Sequence, residues 1–203
     1  MNEAQSLENE APLSVPMGPK KDPSWKSILK EIGIFLIIAV CIVWPFRVFI
    51  AEPYIVDGAS MDPTFKTGDY LIVDKLSYEI GSPKRNSVIV FKFPSETSRD
   101  LIKRVIGLPG DTLTMNGNDL TITNAANPKG FVLPQTYLTH MLPQAFTITL
   151  KDDEYFVMGD NRPESYDSRA WGVLPKKDIL GRPLLRLFPV SKIGVLPGDY
   201  TAK

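Results

Sequence analysis

The sequence predicts a mainly β protein, built as an antiparallel β-sheet domain with a hairpin-rich insertion and preceded by one N-terminal transmembrane helix. Three observations carry this expectation. Short β-branched runs bounded by Gly, Pro, Asn or Asp recur from Tyr70 to Phe188. With 18 prolines and 14 glycines in 203 residues, many short elements are favoured over long helices. Near the N-terminus, Ile32 to Phe46 carries no charge.

Residues 1–24 are polar and hold Pro12, Pro16, Pro19 and Pro23, so they bury too little apolar surface to offset ordering entropy and are expected to form a mobile tail. Residues 25–50 read as a membrane anchor. From Ile28 to Phe46, at about 1.5 Å per residue, a helix rises roughly 28 Å, close to the roughly 30 Å of a bilayer core. Trp25 and Trp44 are spaced as interfacial anchors, and Pro45 ends the helix by removing an N–H. The run also fits the apolar core of a cleavable signal peptide, but no small-x-small site follows it, so an uncleaved anchor is expected. Lys20, Lys21, Lys26 and Lys30 precede the run and only Arg47 follows closely. The positive-inside rule then puts the N-terminus in the cytoplasm and residues 51–203 outside.

Beyond Ala51 the expected strands are Tyr70–Asp74, Ser87–Phe93, Leu101–Ile106, Thr112–Met115, Leu120–Thr123, Phe146–Leu150, Glu154–Met158 and Leu184–Phe188. Asn116-Gly117-Asn118-Asp119 is a hairpin signal between two alternating runs. Residues from 112 to about 153 read as an insertion between motif-bearing strands.

Composition removes several chemistries. Charge is balanced, 23 Lys+Arg against 23 Asp+Glu, and no basic stripe with interleaved aromatics points to nucleic acid. The single cysteine, Cys41, cannot form an intramolecular disulfide, and one Cys with one His is too few for the usual zinc clusters. A Ser-His-Asp triad would need His140, which lies between Thr139 and Met141 in the insertion and reads as a surface or packing residue. A hydrolase on this chain must either rely on that residue or use another base.

Four clusters remain: Asp57-Gly-Ala-Ser60-Met-Asp-Pro-Thr64, Gly68-Asp-Tyr-Leu-Ile-Val73, Lys103-Arg-Val-Ile-Gly-Leu-Pro-Gly-Asp111 and Gly159-Asp-Asn-Arg-Pro-Glu-Ser-Tyr-Asp-Ser-Arg169. Each alone is ordinary turn chemistry. Together and in this order they resemble the type I signal peptidase family, the bacterial membrane-anchored serine proteases that remove signal peptides from exported proteins. The resemblance runs from the anchor to about Gly181. It implies a Ser/Lys dyad with Ser60 as nucleophile and Lys103 as general base, and no metal or cofactor. Physical chemistry agrees. A serine hydroxyl needs an adjacent base, and a lysine amine serves once burial lowers its pKa. Lys103 lies among Leu101, Ile102, Val105 and Ile106, and alternation sends Lys103 and Arg104 to opposite faces, so one of the two enters the apolar site. Arg104 cannot be the base, because guanidinium stays charged.

The resemblance further implies that Ser165 orients the lysine amine and that Asp167 and Arg169 brace the active-site loop. An ion pair of Asp160 with Arg104 is a structural expectation. The Ser60 N–H is one expected oxyanion donor. Some relatives have a serine two positions before the nucleophile as the second, where this chain has Gly58. Met61 and apolar strand residues are candidates for substrate pockets. Expected partners are signal-peptide-bearing precursors with small residues near the scissile bond, and the bilayer. No nucleic acid is expected, and a monomer is favoured. Ser27-Ile-Leu-Lys30 matches the Ser-x-x-Lys of penicillin-binding enzymes, but it lies at the membrane entry without a Lys-Thr-Gly partner. Two other classes stay open: a catalytically silent membrane-anchored binding protein, which intact Ser60 and Lys103 oppose, and a Ser/Lys self-cleaving repressor-type protease, which the anchor opposes.

Overall fold

A computed structural model describes residues 24–43 and 51–199, and the chain divides into two compact units, Met1–Ile42 and Val43–Lys203. The expected tail lies outside the described residues apart from Ser24, as does the last part of the expected anchor, residues 44–50.

The first unit contains helix α1, Trp25–Ile38, which continues as a π-helical stretch, Ala39–Val43. None of the side chains of α1 is buried: Trp25, Phe35, Leu36 and Ile37 are all exposed. Among the described residues no helix is long and apolar enough to cross a membrane, so the expected span over residues 25–50 is met only by this shorter helix.

The second unit is mainly antiparallel β. In chain order it runs β1 (Ala51–Ile55), β2 (Tyr70–Asp74), α2 (Leu76–Ile80), β3 (Val88–Phe93), β4 (Glu96–Gly107), β5 (Thr112–Gly117), β6 (Asp119–Asn124) and β7 (Asn127–Val132). It continues with β8 (Gln144–Thr149), β9 (Glu154–Met158), α3 (Ser168–Trp171), β10 (Leu174–Pro175), β11 (Ile179–Phe188) and β12 (Gly194–Val195). One sheet has the order β1-β2-β11-β3-β4-β9-β10, with β12 beside β11, and the second has the order β7-β6-β5-β8.

Sequence explains the positions of these strands. β3 is nearly continuous in apolar residues, and all but Lys92 are buried, as a central strand requires. β1 and β7 contain Pro53 and Pro128 and lie at sheet edges, where a missing N–H costs no ladder bond. The β5–β6 turn has Gly117 at φ 64°, the positive φ that a tight hairpin needs at its first central residue. Under the second sheet lie Ile106, Leu113, Leu120, Ile122 and Phe156. A separate cluster of Val56, Met61, Phe65, Leu71 and Val88 backs the turn that follows Ser60.

Candidate active site

Ser60 and Lys103, 43 residues apart in the chain, meet in space: Lys103 Nζ lies 2.7 Å from Ser60 Oγ. β4 delivers the lysine. Its register against β3 pairs Lys103 with Ile89 and Arg104 with Val88, and the two long side chains leave on opposite sides. Both are nonetheless buried, with Lys103 3% and Arg104 1% exposed. The expectation that one of the two enters the apolar interior therefore needs correction. Arg104 is tolerated there because Asp160 takes it bidentately, Nε to Oδ1 at 2.8 Å and Nη2 to Oδ2 at 2.6 Å. Its Nη1 donates to the carbonyls of Asn86 and Gly198, and the Tyr137 ring lies 4.2 Å away.

Among the described residues Lys103 has no carboxylate partner of its own; Nζ donates to the Ile102 carbonyl at 2.9 Å. Burial pushes its pKa down from 10.5 to about 8. The Asp167 and Asp160 carboxylates pull it upward and Arg99 pushes it further down, so burial decides the direction. Near neutral pH a useful fraction of the amine is unprotonated and able to take a hydroxyl proton.

The turn bearing Ser60 is clamped by the loop after β9. Asn161 donates its backbone N–H to the Ser60 carbonyl at 3.0 Å and its side-chain amide to the Ala59 carbonyl at 3.1 Å. Gly159 is required by contact, since a Cβ there would overlap the Ser60 carbonyl oxygen and Ser165 Oγ. Asp160 also accepts from Thr64 Oγ1 at 2.5 Å, tying the far end of the same turn. Asp167 is fully buried; it caps α3 through the Arg169 N–H, accepts from Gly159 N–H at 2.9 Å, and holds Arg169 Nε and Nη2 at 2.7 and 2.8 Å. Arg169 reaches on to the Arg162 carbonyl.

Two expected site residues sit differently. Ser165 packs against Gly159, but its Oγ is buried and has no hydrogen-bond partner among the described residues, so in this structure it does not bond the lysine amine as the resemblance implies. Met61, the candidate for a substrate pocket, is fully buried in the apolar cluster behind the turn and does not line the cleft. Its side chain points into the core because the chain turns immediately after Ser60, Phe65 N–H donating back to the Met61 carbonyl. Gly58 takes φ 103°, a conformation few other residues adopt, and its N–H donates to Thr67 Oγ1 at 3.0 Å. Gly159, Asn161 and Thr64 were not singled out from sequence as site residues. Their signal was adjacency, since all three lie inside the quoted clusters.

A cleft of about 260 Å³ opens over Ser60 and Lys103, with Val56, Leu71, Val90 and Ile102 among its apolar walls. β9 pairs with β4 at Arg104, Val105 and Gly107, and among the described residues no strand pairs with the stretch before Arg104 on that side. Tyr54 lines the cleft, its hydroxyl proton shared between Asp100 at 3.2 Å and Glu52 at 3.4 Å. Burial first, then those two carboxylates, raise the phenol pKa, so it remains a donor. Among the described residues no group of three or more His, Cys, Asp or Glu side chains could hold a metal ion.

A serine hydroxyl set against a buried, depressed lysine amine is the arrangement of a Ser/Lys hydrolase. The chain belongs to the signal peptidase family, peptidase S26, whose family description matches residues 29–188. It is 34% identical to signal peptidase I of Leptolyngbya laminosa, over 98% of this chain and 99% of that protein. Probable signal peptidase I-2 of Synechocystis is 33% identical over 89% of this chain and 83% of its own length. Signal peptidase I P of Bacillus subtilis subsp. natto is 37% identical over 83% and 93%. Among solved structures, a signal peptidase I from Enterococcus faecalis V583 aligns at 31% identity over 50% of this chain and 96% of that one, with TM-score 0.43.

Proposed function

We propose that this chain is a signal peptidase I, a serine endopeptidase that removes signal peptides from exported precursors with Ser60 as nucleophile and Lys103 as general base. One observation carries the roles: a buried amine with its pKa lowered to about 8 lies 2.7 Å from a serine hydroxyl at the floor of a cleft.

The precursor enters as an extended segment along the unpaired edge of β4, main-chain hydrogen bonds setting its register and the small cleft favouring small side chains near the scissile bond. Neutral Lys103 takes the Ser60 proton as Oγ attacks the scissile carbonyl. The Ser60 N–H stabilises the oxyanion, a contribution of roughly 3 to 4 kcal/mol for one donor. Protonated Lys103 then gives its proton to the leaving amine, which departs as the new N-terminus of the mature protein. A water, deprotonated by the same amine, hydrolyses the acyl-enzyme and restores Ser60. Ser165, whose buried Oγ has no hydrogen-bond partner among the described residues, orients the lysine amine in this reading by turning toward Nζ. Asp160, Arg104, Asp167 and Arg169 hold the loop and touch no reacting atom.

The N-terminal segment, residues 25–50, is the membrane anchor in this account, with the N-terminus cytoplasmic and the β body, working as a monomer, on the outer face of the bacterial inner membrane. Support comes from the uncovered apolar side chains of α1 and the lysines before it. Protease added to the external face should reach the β body and spare the tail; the reverse pattern contradicts this orientation. The function is tested by incubating the full chain in detergent with a signal-peptide-bearing precursor. Native protein should release the mature fragment, and Ser60→Ala and Lys103→Ala should not, while retaining native unfolding profiles. Cleavage by either variant refutes the dyad.

A further inference from the structure

The family match ends at residue 188, yet the segment after β11 packs against the turn that carries the nucleophile. Residues 189–199 are held to β11 by the pairing of β12 and by the Leu196 N–H, which donates to the Leu184 carbonyl at 2.7 Å. At its end Gly198 takes φ 86°. A Cβ on Gly198 would stand 2.8 Å from Phe65 Cε2 and 3.0 Å from Thr64 Cγ2. The Gly198 carbonyl accepts from Arg104 Nη1 at 2.6 Å.

Thr64 and Phe65 form the far end of the turn that begins at Ser60. Phe65 is fully buried, and Arg186 stacks 4.6 Å over its ring while donating to the Thr64 carbonyl at 2.6 Å. Lys103 is one chain step from this clamp, and Ser60 is one hydrogen bond and one chain step from it. Arg104 follows Lys103, and Asn161, whose N–H holds the Ser60 carbonyl, follows Asp160, which takes both Arg104 and Thr64. Close-packed interiors transmit displacement instead of absorbing it. A shift of Gly198 therefore reaches Ser60 through Phe65 and Thr64, and Lys103 through Arg104.

We propose that residues 189–199 are a positioning strap for the active site, in which Gly198 holds the turn of residues 61–65 from behind and fixes the reach between Ser60 and Lys103. The strap touches no reacting atom, and the proposal rests on the dyad assignment above. Gly198 is needed twice: its φ suits glycine, and its missing Cβ leaves the Phe65 ring in place.

The test uses the full chain in detergent as native protein, Gly198→Ala, Gly198→Ala with Phe65→Leu, a chain ended at Leu196, and Ser60→Ala. Two measurements are made: steady-state kinetics on a precursor, giving kcat and KM, and amide hydrogen exchange by segment. Gly198→Ala and the shortened chain should lower kcat by ~10-fold or more with KM changed by less than about twofold, the signature of a misplaced reacting group. Exchange should quicken over residues 59–65 and stay native over residues 112–149. The added Phe65→Leu, which makes room for the new methyl, should recover part of the lost kcat. Native kcat and native exchange in both strap variants overturn the proposal, as does faster exchange throughout the body, which would mean lost fold. If native protein shows no Ser60-dependent turnover, the enzymatic reading fails, and the exchange pattern alone decides whether the strap holds the turn.

Discussion

Burying a lysine to make a base weakens the fold, and the size of that cost is measurable with Lys103→Met. The Lys103 pKa falls from 10.5 to about 8 on folding, which at about 1.36 kcal/mol per pH unit is roughly 3 kcal/mol against burying the charged amine. The unfolded chain holds its proton more tightly, so between about pH 8 and 10.5 it binds more protons than the folded one and native stability rises with pH across that window. Below pH 8 the cost is present in full. Methionine has a similar length and no charge. Its substitution removes the penalty but also removes the Nζ bonds to Ser60 Oγ and the Ile102 carbonyl, about 1 kcal/mol each. At pH 7 the variant should therefore be the more stable by about 1 kcal/mol, or about 2 to 4 °C in Tm for a body of this size. Near pH 10.5 native protein recovers the penalty and keeps both bonds, so the order reverses by about 2 kcal/mol. Thermal unfolding of both proteins from pH 7 to 10.5 gives the difference directly, other titrating groups cancelling between them. A stability difference that does not change with pH would refute the idea that burial lowers this amine's pKa.

Other perturbations separate the surrounding parts. Arg104→Met leaves Asp160 buried without its cation and should cost about 3 to 5 kcal/mol in denaturant unfolding; a loss below about 1 kcal/mol would mean the pair is not buried. Gly159→Ala drives a methyl into the Ser60 carbonyl and Ser165 Oγ, and kcat should fall by about 10- to 100-fold with the protein still folded. Normal turnover in that variant would show that the loop does not fix the nucleophile. Met61→Leu conserves volume in the core, so it should cost less than about 1.5 kcal/mol and leave the relative rates on precursors with different residues at the cleavage site unchanged. Altered precursor preference would return Met61 to the substrate pocket.

Strands packed on both faces were the most legible from sequence. β2 and β9 coincide with the expected runs, because apolar residues bounded by Gly, Asp or Glu leave one reading of length and burial. β1 and β7 were passed over, since Pro53, Pro128 and Gly130 break a strand pattern unless the strand is known to be an edge, which only tertiary pairing reveals. The outer half of β4, Glu96–Asp100, is polar and exposed and carries no periodic signal. β11 begins well before the expected Leu184, because Gly181 and Pro183 disguise a strand that is irregular in register.

In the candidate site, the chemistry and the charged part of its support are readable from sequence, and the rest of the support is not. Ser60 and Lys103 are distinguished by residue type and motif. The bidentate contact of Arg104 with Asp160 follows from two charges that need each other once buried. Asn161 and Thr64 act through hydrogen bonds to partners about 100 residues away in the chain, Ala59, Ser60 and Asp160, which composition does not encode. Gly198 and Tyr137 reach Arg104 from segments far along the chain that carry no motif. Met61, a pocket candidate by adjacency to Ser60, lies in the core, because adjacency says nothing about which side of a turn a side chain takes.

In the proposed mechanism one neutral amine takes one proton. Its most direct measurement is kcat/KM against pH, from 6 to 10, on a precursor peptide whose own groups do not titrate in that range. With Lys103 as the base, the rate should rise about tenfold per pH unit below about 8 and level off above it. A flat profile, or one still climbing at pH 10, would contradict a buried lysine acting on Ser60.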